Sequence, residues 1–505
     1  MSILERIAAI RGATLRSIAR YATVARVAHL VIAVVLLTVA VSDLEGEEFH
    51  GDESHWATSS QLAYNLIISG DLESPLWHDQ FYLYSQPQLG KLAIGASLAA
   101  GGISGSTQVI EYDWMLDPEA NRTRGAIPSR DTLWFARLPG AIAGWLAAVV
   151  LWAIGRALGR GDVGLLAAAL LASNPLWLAN SRRAGMDTLA LLFGLLAVYA
   201  AVRIFKSPRF VWWLWFGVAV GLTVSTKYTG LLGALGSAVP LWLGFLRERS
   251  RGRAARFTTG GIGSVAVAAA LIVASNPVLY SEPVEGMARS VGFFRDQASA
   301  MRNSFPVFRS RPLVALEIVD RVIWPIGFPK IVDTTLERTD GDVDRHLSPG
   351  QYGTPVIGGG IAITAMAAIS AKSRAYWHTL GLIAAVAALW FVACFGALVE
   401  SLPIWWERWH LGIVPATCVV AAVGWATVGR YAMIAGGVAQ VVATIAIGPT
   451  YLNHGFWALL ATPVGAGLHA VAVGVIIIVA LTAAGVPERL RARVRVRVAP
   501  RALFG

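Results

Sequence analysis

Two adjacent carboxylates, Asp52 and Glu53, follow the first long apolar segment of the chain, where a membrane protein would place its first outward loop. A membrane helix does not need charged residues at its end, so ionisable residues at this boundary point to function. A carboxylate can take the proton of an acceptor hydroxyl during group transfer. We therefore predict a catalytic pair in which one carboxylate is the general base and its neighbour orients the acceptor or an arginine. The alternative is a solvated acidic loop.

Positive side chains recur at the same ends of later apolar segments. An arginine can donate two parallel bonds to a phosphate, whereas a lysine acts as a point charge. We predict a phosphate site on the outer face from Arg137, Arg183, Lys227 and Arg408. Two structural alternatives stay open: Arg183 could be an interfacial residue whose charge reaches the headgroups, and Arg408 could belong to an aromatic belt.

The composition indicates an integral membrane protein. Of the 505 residues, 55% are hydrophobic and only 14% are charged, and the mean hydropathy is +0.57. The net charge of +11 could suggest nucleic acid, but the basic residues stand in short tracts between apolar runs, as topology signals do. The two cysteines, Cys394 and Cys418, lie inside apolar segments and imply no disulfide framework.

Apolar runs long enough to span a bilayer predict about twelve transmembrane helices. They lie near 27–42, 132–155, 163–180, 188–205, 211–226, 230–246, 258–275, 353–371, 377–398, 409–428, 431–448 and 465–485. A cytoplasmic N-terminus puts more than half of the 42 Lys and Arg residues inside, as the positive-inside rule requires. Both termini are therefore expected to be cytoplasmic in a multi-pass protein of the cell membrane.

The expected organisation is a basic lead (1–26), a polytopic domain (27–485) and a basic tail (486–505). Two long outward loops, about 43–131 and 276–352, interrupt the spans. In the first loop, residues 55–68 predict a helix in the interface plane with Ser54 as N-cap. Residues 89–100 predict a second interfacial or re-entrant helix, and 103–131 reads as a polar excursion of unknown use.

Several motifs along the chain together carry a family resemblance. After the acidic pair come Ser-Gly-Asp (69–71), Pro-Gln-Leu-Gly-Lys (87–91), Ala-Arg-Leu-Pro-Gly-Ala (136–141), Asn-Pro-Leu-Trp-Leu-Ala-Asn-Ser-Arg-Arg-Ala-Gly-Met-Asp-Thr (174–188) and Ser-Thr-Lys-Tyr-Thr-Gly (225–230). The chain resembles the protein O-mannosyltransferase and aminoarabinose-transferase (ArnT-like) group of family 39-like glycosyltransferases, over roughly 27–300. Gln86-Pro87-Gln88 departs from the usual Pro-Pro before Leu-Gly-Lys, and the 103–131 insertion is unfamiliar.

The resemblance implies an all-α GT-C fold and transfer of a sugar from a polyprenyl-phosphate donor to a protein, lipid or glycan hydroxyl on the outer face. It implies an inverting displacement with Asp52 as base. Further acceptor or sugar-binding residues would be Lys91, His55, Asp187 and Tyr228, although Asp187 could simply cap a helix. No closed metal motif is seen, so we predict no metal ligands, although a divalent cation could assist.

Two other classes of protein also have long apolar chains. A twelve-span transporter or lipid flippase would favour two similar halves and broken helices at mid-membrane. Here no half-repeat is visible, and the polar residues gather at one face. A scaffold without activity would not need Asp52 and Arg137. The sequence names neither the sugar nor the acceptor.

Overall fold

A computed structural model of the chain describes residues 34, 37–38, 40–47, 49–79, 81–103, 108–280, 282–304, 310–323, 355–369, 374–402, 407–429, 433–438 and 440. The chain divides into two compact units, Met1–Val39 with Leu459–Gly505, and Ala40–Ala458. Some of the predicted segments lie wholly or largely outside the described residues, namely 1–26, 27–42, 431–448, 465–485, 486–505 and the second half of the 276–352 loop. The helices and the site below belong to the second unit.

The described residues contain helices and no strands. The helices of six or more residues are α1 (Asp52–Ile68), α2 (Leu89–Ala100), α3 (Pro118–Thr123), α4 (Arg130–Ala157), α5 (Gly161–Ala172), α6 (Pro175–Ser181), α7 (Asp187–Lys206), α8 (Phe210–Thr226), α9 (Tyr228–Ser250), α10 (Ala254–Ala274), α11 (Pro283–Ser304), α12 (Arg311–Ile318), α13 (Pro355–Ile369), α14 (Arg374–Ser401) and α15 (Arg408–Thr427). Both α9 and α15 include a turn of 3-10 helix. A kink at Gly381, where φ is 52°, bends α14.

Six described helices are long and apolar enough to cross a membrane: α4, α7, α9, α10, the Gly381–Ser401 part of α14, and α15. They coincide with predicted spans, so the all-α membrane class is confirmed. The span predicted near 163–180 is broken, because α5 and α6 meet at an angle of 63°. Asn174 caps α6 by accepting from the backbone N–H of Trp177 at 3.0 Å. The described residues contain at most seven spans, with this pair counted as one.

The main core lies between α4, α5, α7, α14 and α15, where large side chains such as Trp177 and Trp390 are fully buried. Small residues let some of these helices approach closely. A Cβ placed on Gly155 of α4 would lie 2.3 Å from the Cα of Gly164 in α5. Larger residues there would push α4 and α5 apart.

The loop predicted at 43–131 contains the two predicted helices, but α1 begins earlier than expected. The predicted cap is wrong: Gly51 is the N-cap, and the Ser54 hydroxyl instead donates to the carbonyl oxygen of Ala126. Polar residues of α1 such as Ser59 and Ser60 are buried as well as its apolar residues. The buried part of α1 is therefore wider than the single apolar face expected of an interfacial helix. The α1 helix packs against α2, where a Cβ on Gly95 would lie 2.5 Å from the Ser60 carbonyl oxygen.

Candidate active site

The acidic pair forms the first turn of α1. Adjacent residues of a helix point in different directions, and the two carboxylates therefore meet different surroundings. Glu53 is 1% exposed, whereas the side chain of Asp52 keeps 20% of its surface accessible. One carboxylate is thus part of the protein interior and the other faces an open site.

Glu53 is held in a fully buried ion pair with Arg137 of α4. The Nε and Nη2 atoms of Arg137 donate to the two carboxylate oxygens at 2.7 and 2.6 Å. The backbone N–H groups of Ala184 and His50 donate to the same oxygens at 2.7 and 3.0 Å. Burial alone would raise the pKa of Glu53, but the Arg137 charge and these hydrogen bonds hold it below its usual value. The carboxylate is therefore kept ionised and fixed.

Arg137 also fastens the chain that precedes α1. Its Nη1 donates to the carbonyl oxygens of Leu44 and Glu47, the latter at 3.0 Å. The structure thus places Arg137 inside the protein, where a phosphate could reach it only by replacing these partners. This buried position suits a residue that holds α1 in place better than one that contacts the donor phosphate, as the sequence predicted.

A second buried pair, Arg182 with Glu47, ties down the same segment. The Arg182 Nε contacts a Glu47 carboxylate oxygen, and Nη2 donates to the carbonyl oxygens of Ser42 and Asp43 at 2.7 and 3.1 Å. The end of α6, next to Arg182, approaches α4 closely at Gly140. A Cβ on Gly140 would lie 2.9 Å from the Ser181 carbonyl oxygen. The sequence did not lead us to assign Glu47 or Arg182 to the site.

Asp52 pairs with Arg408, which stands at the start of α15 and far away in the sequence. Its Oδ2 accepts from Arg408 Nη1, and about a quarter of the Arg408 side chain is exposed. Burial would raise the pKa of Asp52, but the Arg408 charge and its hydrogen bond hold it well below its usual value. Asp52 is therefore ionised, as a general base must be.

Asp187 and Lys227 form a second, largely buried pair beside the first. Lys227 Nζ lies 2.8 Å from Asp187 Oδ2, and the two side chains are 10% and 15% exposed. Met186 and not Asp187 is the N-cap of α7, and Asp187 is the first residue of the helix, where a carboxylate still faces the positive end of the helix dipole. Lys227 Nζ also lies 5.9 Å from the ring centre of Trp56. It stands within electrostatic range of both Arg408 and Asp52.

We call Asp52, Asp187, Lys227 and Arg408 the open charge cluster. Its members come from the starts of α1, α7 and α15 and from the residue after α8. Two negative and two positive side chains thus converge at a partly accessible place. Such a place can take up a hydroxyl near a carboxylate and an anion near the cations.

Two histidines beside Asp52 are neutral near pH 7. Burial is the main cause that lowers the pKa of His50 to about 4 and that of His55 to about 3. The backbone N–H of Asp52 donates to His50 Nδ1 at 3.3 Å, which agrees with a neutral ring. His55 stacks on Tyr82 with the ring centres 4.1 Å apart. Because His55 is buried and its ring packs against Tyr82 and Trp56, the predicted sugar contact would be limited to the small part of the ring that stays exposed.

The polar excursion covers the start of α1. The Thr58 hydroxyl donates to the Ser54 carbonyl oxygen within α1 at 2.8 Å, and its oxygen accepts from the backbone N–H of Ile110 at 3.0 Å. Tyr82 donates to Glu111 at 3.1 Å, and the Trp114 ring meets the edge of His50 at 5.8 Å. The 108–126 segment is therefore a wall of the site. Its residues could not have been found from motifs, because the insertion matches no familiar pattern.

The remaining predicted residues lie at different depths. Lys91 is fully buried, and its ammonium donates to the carbonyl of Gln86 at 3.0 Å and to the amide oxygen of Gln88 at 3.2 Å. A sugar could reach Lys91 only by displacing these partners. Tyr228 hydrogen-bonds to Ser290 of α11. Arg183 is half-buried, and its charge acts on His50.

Among the residues that the structure describes, no three His, Cys, Asp or Glu side chains converge as a metal site would require. The carboxylates of the open charge cluster instead face cations.

The described residues thus combine helices long and apolar enough to cross a membrane with carboxylates and cations gathered at one site. Residues 127–280 match the family model described as dolichyl-phosphate-mannose-protein mannosyltransferase. The match includes Arg137, Asp187 and Lys227, and it confirms the resemblance to GT-C glycosyltransferases that the sequence motifs predicted.

Solved structures of two transferases are similar to the chain. ArnT from Cupriavidus metallidurans bound to undecaprenyl phosphate has 14% identity and a TM-score of 0.48, covering 90% of this chain and 74% of its own. The archaeal oligosaccharyltransferase AglB from Archaeoglobus fulgidus, in complex with an inhibitory peptide and a dolichol-phosphate, has 11% identity and a TM-score of 0.43, covering 89% and 56%. No curated protein matches the sequence.

Proposed function

We propose that this chain is a membrane glycosyltransferase that moves a sugar from a polyprenyl-phosphate donor to an acceptor hydroxyl. The observation that carries the proposal is the open charge cluster, in which an ionised Asp52 stands beside two cations, the partly exposed Arg408 and the largely buried Lys227. The cations suit a lipid phosphate, and the carboxylate suits a hydroxyl. The family match over 127–280, whose description names a dolichyl-phosphate sugar, supports the same donor class.

The proposed reaction is a single displacement with inversion. The acceptor oxygen attacks the anomeric carbon, the bond from that carbon to the phosphate oxygen breaks, and the hydroxyl proton passes to Asp52. The leaving lipid phosphate needs little protonation, because Arg408 and Lys227 stabilise its growing negative charge. The products are the glycoside and the free polyprenyl phosphate.

The buried residues would position these groups. Glu53 and Arg137 fix the first turn of α1, and Glu47 with Arg182 fixes the segment before it. Because a displacement of about 1 Å in a catalytic group can cost a factor of about 10², such anchoring matters to the rate. We therefore assign Arg137 and Glu53 to positioning, and Arg408 and Lys227 to the phosphate.

The site would lie on the outer face, with the lipid tail between helices and the acceptor entering from the aqueous side. The distribution of Lys and Arg supports this orientation. A protein, a lipid or a glycan could supply the hydroxyl, since each presents the same nucleophile to Asp52.

The proposal is tested by incubating the purified full chain in lipid nanodiscs with a panel of polyprenyl-phosphate sugars. We expect at least one donor to release polyprenyl phosphate in a reaction that Asp52→Asn strongly slows. If the protein bound no polyprenyl phosphate and turned over no donor, the assignment would be overturned. Heat-inactivated protein measures spontaneous hydrolysis of each donor.

A further inference from the structure

Each cation of the open charge cluster contacts a carboxylate of the same cluster. Arg408 contacts Asp52, and Lys227 lies 2.8 Å from Asp187. In the proposed function the same two cations hold the donor phosphate. The cations therefore have two competing anionic partners, one from the protein and one from the substrate.

Asp52 and the phosphate cannot occupy the same side of the sugar. In an in-line displacement the base contacts the attacking oxygen at about 2.6–3.2 Å, and that oxygen starts about 3–3.5 Å from the anomeric carbon. The leaving oxygen lies beyond that carbon. An Arg408 guanidinium that contacts Asp52 is thus on the base's side of the reaction, and it must turn to reach the phosphate.

We propose that the donor phosphate takes Arg408 away from Asp52, so that the general base is released only when the donor is bound. This inference rests on the proposed function and adds an order to it, with the donor binding before the acceptor is deprotonated. In the donor-free protein Arg408 neutralises the Asp52 carboxylate, which then attracts a proton weakly. Once Arg408 has turned to the phosphate, the same carboxylate is a stronger base.

The two kinds of ion pair at the site differ in a way that suits this exchange. Glu53 and Arg137 are fully buried and share further hydrogen bonds with the backbone, so their separation would leave buried charges unpaired. The Asp52 and Arg408 side chains are 20% and 25% exposed. Water can solvate Asp52 when Arg408 leaves, which makes the change of partner feasible.

Competition between Asp52 and the phosphate predicts an unusual effect of removing the base. If Asp52 competes for Arg408, then Asp52→Asn should bind a sugar-free polyprenyl phosphate more tightly, although it transfers sugar more slowly. A partly exposed ion pair with arginine lies between the surface and buried limits, so we expect the Kd to fall about tenfold. Undecaprenyl phosphate titrated into the full chain in nanodiscs measures it.

Two further variants isolate the pairing from a general loss of negative charge. Asp162→Asn is the matched control, because Asp162 pairs with Arg160 at 2.7 Å with both side chains partly exposed, beyond the opposite end of α4 from Arg137. Its Kd should stay within about twofold, because charges so far from the site are largely screened. In an Arg408→Met background, Asp52→Asn should lose its gain in affinity.

An unchanged or weaker Kd for Asp52→Asn would overturn the exchange, and so would an equal gain in the Arg408→Met background. Either result, obtained with wild-type protein that binds undecaprenyl phosphate and turns over a donor, leaves the proposed function standing. Failure of the wild-type protein to bind the lipid phosphate at all contradicts both proposals. The two failures are therefore distinguishable.

Discussion

Replacing Glu53 by Gln should destabilise the protein far more than the loss of one negative charge suggests. The Glu53 carboxylate accepts two hydrogen bonds from Arg137 and one each from the backbone N–H groups of Ala184 and His50. A Gln side chain offers one oxygen and one NH2 group. Two donors that now meet a carboxylate oxygen would then face the NH2 group, and the Arg137 charge would be buried without a counter-charge.

The cost follows from the burial of the pair. Because the two side chains are 1% and 0% exposed, solvent cannot compensate. Removing one partner of such a pair costs about 3–5 kcal/mol, so we expect the free energy of unfolding to fall by about that amount. Unfolding by SDS titration in bicelles, followed by tryptophan fluorescence, measures it.

Glu119→Gln is the matched control, since Glu119 pairs with Arg122 across one turn of α3 with both side chains mostly exposed. That variant should unfold like the wild-type protein. The double variant Glu53→Gln with Arg137→Met should recover part of the stability, because no charge is left buried. A Glu53→Gln protein as stable as the Glu119→Gln control would refute this account of the buried pair.

Three other outcomes follow from the charges and exposures. Lys227→Gln should weaken undecaprenyl phosphate binding about tenfold or more, measured in nanodiscs, whereas Lys206→Gln, an exposed residue at the far end of α7, should not. Folding lowers the pKa of His55 from 6.5 to about 3, so the unfolded state binds the proton more readily. The free energy of unfolding should therefore drop as the pH falls from 6.5 toward 3. In His55→Gln the free energy of unfolding should depend less on pH over this range. A cysteine at Met115, which is 86% exposed, should react with an impermeant reagent in intact cells, and one at Arg251 only after permeabilisation; the reverse pattern would contradict the orientation.

The apolar periodicity and length of the spans were readable from the sequence, because a helix in lipid must satisfy its backbone internally and needs a long apolar run. Predicted boundaries near 132–155 and 188–205 agree with α4 and α7 within a few residues. The break between α5 and α6 was missed, since hydropathy alone continues through Pro175. The start of α1 was misplaced because Ser54 resembles an N-cap but contacts the Ala126 carbonyl.

The membership of the site was partly predictable. Asp52, Asp187, Lys227 and Arg408 stand at ends of apolar segments on one predicted face, so topology alone suggested that they meet. Their pairing was not predictable, because the contacts between α1, α7 and α15 depend on how the helices pack. Nothing in the spacing distinguished Arg137, which is buried against Glu53, from Arg408, which faces the open site.

The central claim is that Asp52 is the general base of sugar transfer. Its most direct test is single-turnover transfer by Asp52→Asn at saturating concentrations of an established donor and acceptor, with donor binding measured on the same sample. General-base assistance contributes a factor of about 10²–10⁴, so we expect the rate to fall by at least that range while the donor remains bound. A transfer rate within a few fold of the wild-type protein would contradict the assignment, and Asp187 would then be the carboxylate to examine.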